Sequence, residues 1–86
     1  MDGYIKREAK IVSIRRYDET ICSSKVILVT VRTNDDDLYE IEWAREAGRK
    51  PVEVFDKLWN AESGSDVVLY ESERSSNLTF VEPVIA

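Results

Sequence analysis

The chain contains no histidine, a single cysteine, three glycines and two prolines among 86 residues. Without histidine there is no imidazole to act as general base or zinc ligand, and every histidine-containing catalytic triad is excluded. The lone thiol, Cys22, has no partner for an internal disulfide or a thiolate metal site. A secreted domain of this size would ordinarily carry several disulfides, so a reducing cytoplasmic setting is expected. Cys22 itself reads as an inert, half-buried thiol, because no base stands near it in sequence. The glycines are too scattered for a phosphate-cradling loop or a dinucleotide fingerprint. No Gly/Ser- or Pro-rich linker divides residues 1–86, which therefore read as one domain. Long apolar runs are missing too. The longest, Val26 to Val31, is interrupted by Thr30 and is far too short to cross a bilayer. Residues 1–10 alternate charged and apolar positions, so neither a signal peptide nor membrane association is expected. Asn77-Leu78-Thr79 formally matches a glycosylation acceptor, but in a cytoplasmic chain it reads as chance.

What is present is globular in composition. Hydrophobic residues make up 43% and charged residues 34% of the chain, with a net charge of −5. The charge is segregated. Residues 1–16 hold Lys6, Arg7, Lys10, Arg15 and Arg16 against Asp2 and Glu8, whereas residues 33–73 hold twelve acidic against four basic residues. The chain as a whole repels a phosphate backbone, while its first segment attracts one.

Alternation gives the element order. From Tyr4 to Tyr17 the apolar positions Ile5, Ala9 and Ile11 share one parity, and Val12 and Ile14 the other. Side chains alternate strictly along a strand, so the change predicts a bulge or bend near Ile11-Val12. Lys25 to Arg32 is β-branched and apolar on both parities, which predicts a central strand covered on both sides. Thr33 to Asp37 reads as a turn, since Asn and Asp tolerate left-handed geometry. Leu38 to Trp43 then alternates, with Tyr39, Ile41 and Trp43 opposite Glu40 and Glu42. A helix opens at Pro51, well suited to a first helical position, with Val52, Phe55, Leu58 and Trp59 as its apolar stripe. Two further strands follow, Asp66 to Glu71 and Asn77 to Val81, and Pro83 ends the ladder. The result is mainly β with one short helix, in the order β-β-β-α-β-β.

That order, with REAKIVSIRRYD as a curved first strand, KVILVTVRTNDDDLYEIEWA as the second and third, and PVEVFDKLWNAESGSDVVLY as the helix and fourth strand, resembles an OB-fold. This is a small five-stranded Greek-key barrel. The likeness is one of layout, and Gly64-Ser65-Asp66 departs slightly from the Gly-Asp common in the family. The resemblance implies a ligand lying across strands two and three, framed by residues 18–24 and 72–77. It further implies aromatic platforms and basic residues as the contacts for single-stranded nucleic acid. The residues that fit are Arg15, Arg16, Tyr17, Lys25, Arg32, Tyr39 and Arg74. Tyr70 is a further aromatic, and Glu40 and Glu42 would oppose a polyanion if they face outward.

No catalytic, metal or cofactor site is expected. Asp35 to Asp37 lack the spaced ligands, glycine and distal glutamate of a calcium loop and read as a solvated turn. Two functions remain open: contact with single-stranded nucleic acid through the basic first strand, or an acidic protein-interaction module, such as an assembly subunit or an inhibitor acting by mimicry.

Overall fold

In the computed structural model, residues 3–19, 24–46, 51–75 and 78–84 are described. Their elements are β1 (Tyr4–Glu19), β2 (Ser24–Thr33), β3 (Leu38–Ala44), α1 (Val52–Trp59), β4 (Asp66–Ser72) and β5 (Phe80–Pro83). The five strands form one antiparallel sheet in the order β3-β2-β1-β4-β5. Together with the single helix this is a small barrel-like β fold whose ladder ends at β3 and β5.

Strand β1 is shared by both halves of the sheet. Residues Tyr4 to Lys10 pair with β4, and Ala9 to Glu19 pair with β2. The register slips between Ile11 and Ser13, so Val12 is the extra residue of a bulge. The parity change holds for Ala9 and Ile11, buried before the bulge, and Ile14, half-buried after it, whereas Ile5 and Val12 are exposed. Where β1 leaves β4, its backbone finds other partners. The Ile11 N–H donates to the Ser65 carbonyl at 3.0 Å, and the Gly64 N–H donates to the Ile11 carbonyl at 2.7 Å. Gly64 makes that close approach at φ 89°, a conformation in which a Cβ is strained.

The β2–β3 hairpin closes through Thr33 to Asp37. The Asp36 N–H donates to the Thr33 carbonyl, the Asp37 N–H donates to the Thr33 Oγ1, and Asp36 adopts φ 65°. The left-handed position falls on an aspartate, as the turn chemistry requires.

Three local expectations need correction. Pro51 is the residue before the helix, with extended backbone (ψ 123°), rather than its first helical residue. The buried stripe of α1 is Val54, Phe55 and Leu58, with Trp59 half-buried and Val52 exposed. A two-turn helix repeats its pattern too few times for spacing alone to set its phase, and Val52 overhangs the contact. The last strand starts at Phe80 rather than Asn77, because Leu78 lies in a tight helical turn closed by its N–H to the Ser75 carbonyl. Cys22 and Asn77 lie outside the described residues.

The core is formed by Ala9, Ile11, Ile27, Val29, Val31, Ile41, Trp43, Val67, Leu69 and Val81, joined by the helix's Val54, Phe55 and Leu58 and by Phe80. Through it runs a chain of ring contacts. Tyr70 stacks on Phe80 at 4.8 Å, Phe80 meets Trp43 at 5.9 Å, Trp43 meets Phe55 edge-on at 5.5 Å, and Phe55 stacks on Trp59 at 5.9 Å. Trp43 and Phe80 therefore link the two ends of the ladder by side-chain packing.

Candidate binding surface

Pairing register sorts the residues of β1, β2 and β3 onto two faces, since directly paired residues project to the same side. One face is the core: Ile14–Val29–Ile41 and Ile11–Val31–Tyr39 are cross-strand rows on it, and Arg16–Ile27–Trp43 is a third. The other face carries the rows Tyr17–Val26–Ala44, Arg15–Leu28–Glu42, Ser13–Thr30–Glu40 and Lys10–Arg32–Leu38. Tyr39, Ile41 and Trp43 thus point inward, and Glu40 and Glu42 lie exposed on the outer face.

Strand β2 is covered on only one side. Ile27, Val29 and Val31 are 0% exposed, whereas Val26, Leu28 and Thr30, on the outer face, are half-buried. The double apolar run reflects a core face and a second face only partly covered by neighbouring side chains.

The seven residues expected to bind nucleic acid do not come together. Arg15, Tyr17 and Arg32 share the outer face, all exposed; among the described residues their side chains make no hydrogen bond or ion pair. Arg16 and Lys25 lie on the other parity and turn to the helix. The Arg16 guanidinium donates to the carbonyl oxygens of Trp59 (2.5 Å) and Ala61, where the helix C-terminus carries partial negative charge. The Lys25 ammonium sits 5.1 Å from the centre of the Trp59 ring, a cation–π contact that shields the ring. Arg74 lies exposed in the β4–β5 connection, and residues 20–23 and 76–77 of the two framing loops lie outside the described residues.

Tyr39 is committed elsewhere. Its hydroxyl donates to Glu71 Oε2 at 2.6 Å, Glu71 lies 3.5 Å from Arg7, and Arg7 lies 3.6 Å from Asp35. This network closes the end of the core away from α1. The hydrogen bond to Glu71, aided by burial, raises the Tyr39 pKa above the usual phenol value. Burial, with the charge of Glu82, raises that of Tyr70, which stacks on Phe80 beneath Lys6 (5.5 Å). Neither ring is a free stacking platform. On the helix, Arg45 and Asp56 form a two-pronged ion pair at 2.8 and 3.1 Å, and the hydrogen bond from Arg45 lowers the Asp56 pKa.

The outer face is therefore ordered in columns: Arg15 and Lys10 on β1, half-buried Val26, Leu28 and Thr30 on β2, Glu40 and Glu42 on β3. Lys10 is paired with Asp66 at 3.5 Å, while Arg15 has no ion pair among the described residues. Tyr17 and Leu38, 45% and 58% exposed, sit at opposite ends. Sequence reasoning passed over Val26 and Leu28, assigning them to a covered face. The available signal was the double apolar parity of β2 beside the strict alternation of β3.

No protein-family model, curated protein or solved structure matches the chain. Among the described residues, no group of three or more Cys, Asp or Glu side chains is arranged to hold a metal. No helix among them is long and apolar enough to cross a membrane.

Proposed function

We propose that this chain is a non-catalytic binding module of OB-like layout whose outer β1–β2–β3 face docks another protein. The layout draws support from the sheet order, in which a bent first strand is shared between β2 and β4 and the helix precedes β4. The observation that carries the function is the column order of the outer face: a cation and a tyrosine on one side, a half-buried aliphatic strip in the middle, carboxylates on the other. Apolar area with tyrosine and arginine, bordered by charge of both signs, is how protein interfaces are composed. A polyanion gains from Arg15 and Arg32 but meets Glu40 and Glu42 on the same surface.

Contact with single-stranded nucleic acid is the second reading, favoured by the exposure of Arg15, Tyr17 and Arg32 on one face. One experiment separates the two. Peptides are selected from a random display library on the folded protein, then rescreened against Leu28→Asp and Arg15→Glu; in parallel, short DNA and RNA strands are titrated at low and moderate salt. The protein-docking reading expects the selected peptides to lose binding to both variants while oligonucleotides show no saturable binding. Peptides indifferent to both substitutions, or saturable oligonucleotide binding that weakens with salt and with Arg15→Glu, would overturn it.

A further inference from the structure

We infer that the outer face pairs with a second copy of this chain, about a two-fold axis parallel to the strands. The inference rests on the protein-docking reading and names its partner. Such an axis lays β1 of one copy over β3 of the other, stacks β2 on β2, and keeps every cross-strand row level with itself. From the observed register, Arg15 then faces Glu42 of the second copy and Leu28 faces Leu28. In the neighbouring row Val26 faces Val26, and the large Tyr17 faces the small Ala44. Opposite charges meet twice by symmetry, apolar side chains meet at the axis, and large meets small. A two-fold axis running across the strands would instead set β1 on β1, cation against cation, and β3 on β3, carboxylate against carboxylate.

Of the remaining rows, Lys10 faces Leu38, and its ammonium, paired with Asp66, leaves the aliphatic stem for that contact. Ser13 faces Glu40, a hydroxyl against a carboxylate. Arg32 faces Arg32 two rows from Leu28, about 14 Å along the strand. Face-packed sheets cross at about −30°, which displaces facing side chains by about 7 Å at that distance, so these arginines are drawn apart. Three strands and the central rows offer a few hundred Å² per copy, below the ~800 Å² per partner of a stable complex. The dimer is accordingly weak.

Sedimentation velocity over a concentration series, up to about 200 µM, tests this directly. Wild type is expected to move from monomer to dimer. Arg15→Glu and Glu42→Arg each place like charges at both symmetric contacts and weaken the dimer by about tenfold or more. Mixed in equal amounts, the two variants form opposite-charge pairs at both contacts and recover the dimer. Leu28→Asp abolishes it. Val84→Asp, at an exposed position beyond β5, leaves it unchanged. Circular dichroism of each variant separates loss of pairing from loss of fold. A wild type that stays monomeric, a dimer indifferent to the Arg15 and Glu42 substitutions, or no recovery on mixing overturns the inference. If the wild type is monomeric but library peptides still lose binding to Leu28→Asp, self-pairing alone fails. Peptides unaffected by that substitution would sink the docking surface itself.

Discussion

The two faces of β2 differ in a way that only alternation can produce. Ile27, Val29 and Val31 are sealed in the core, while Val26, Leu28 and Thr30, one residue away in each case, lie half-buried on the outside. On the inner face charge stays at the rims, where Arg16 meets helix carbonyls and Arg7 meets Glu71. On the outer face charge flanks the apolar strip directly. The inner face is organised to exclude water; the outer one sets exposed charge beside half-buried apolar side chains.

Aspartate substitution at adjacent positions breaks the comparison most severely. Ile27→Asp puts an unpaired carboxylate where there is no solvent and is expected to abolish folding, because a buried unpaired charge costs several kcal/mol in a domain with little to spare. Leu28→Asp is expected to cost about 1 kcal/mol, since its neighbours there are partly solvated. Urea unfolding of the two variants measures the difference.

The polar end of the core comes next. Tyr39→Phe removes the hydrogen bond to Glu71 and is expected to cost about 1–2 kcal/mol. Because the folded protein raises the Tyr39 pKa, the tyrosine's contribution is complete below the unfolded phenol value. It is lost as pH rises through the folded one. Stability of the wild type should therefore fall above about pH 10, and less steeply in Tyr39→Phe.

At the helix end, Arg16→Ala frees the carbonyls of Trp59 and Ala61 and is expected to cost about 0.5–1 kcal/mol. The loss should appear as faster amide exchange at the end of α1 rather than across the sheet. The smallest effect is at Asp56. Its pKa is lowered by the hydrogen bond from Arg45, so its contribution exists above the unfolded carboxyl value and is lost as pH falls through the folded one. The stability of the wild type should converge on that of Asp56→Asn below about pH 4; a gap unchanged by acid would exclude the pair as its source.

Much of the fold was legible because it follows from local alternation and turn chemistry. The bulge at Val12 is written in the parity change between Ile11 and Ile14, and the β2–β3 hairpin in the polar stretch that places Asp36 at its left-handed position. The inward side of β3 was open until burial of Ile41 and Trp43 decided it, because strict alternation marks two faces without saying which is wet. The helix was found but misphased, since two turns carry too little repetition to prefer Val54 over Val52. Least legible was the candidate site. Tyr39 looks like an exposed platform until Glu71, thirty-two residues on, accepts its hydrogen bond. Arg16 and Lys25 look like free cations until the helix end and Trp59 arrive beside them. Long-range pairing decides these roles, and no local pattern encodes it.

The central claim is that the outer face of β1, β2 and β3 is an interface between copies. Backbone amide resonances followed as a millimolar sample is diluted to the micromolar range test it most directly. The account predicts concentration-dependent shifts at Arg15, Tyr17, Leu28 and Glu42, with Lys6, Glu53 and Val84 unmoved. Shifts confined to β5 or the helix, or none at any concentration, would contradict it.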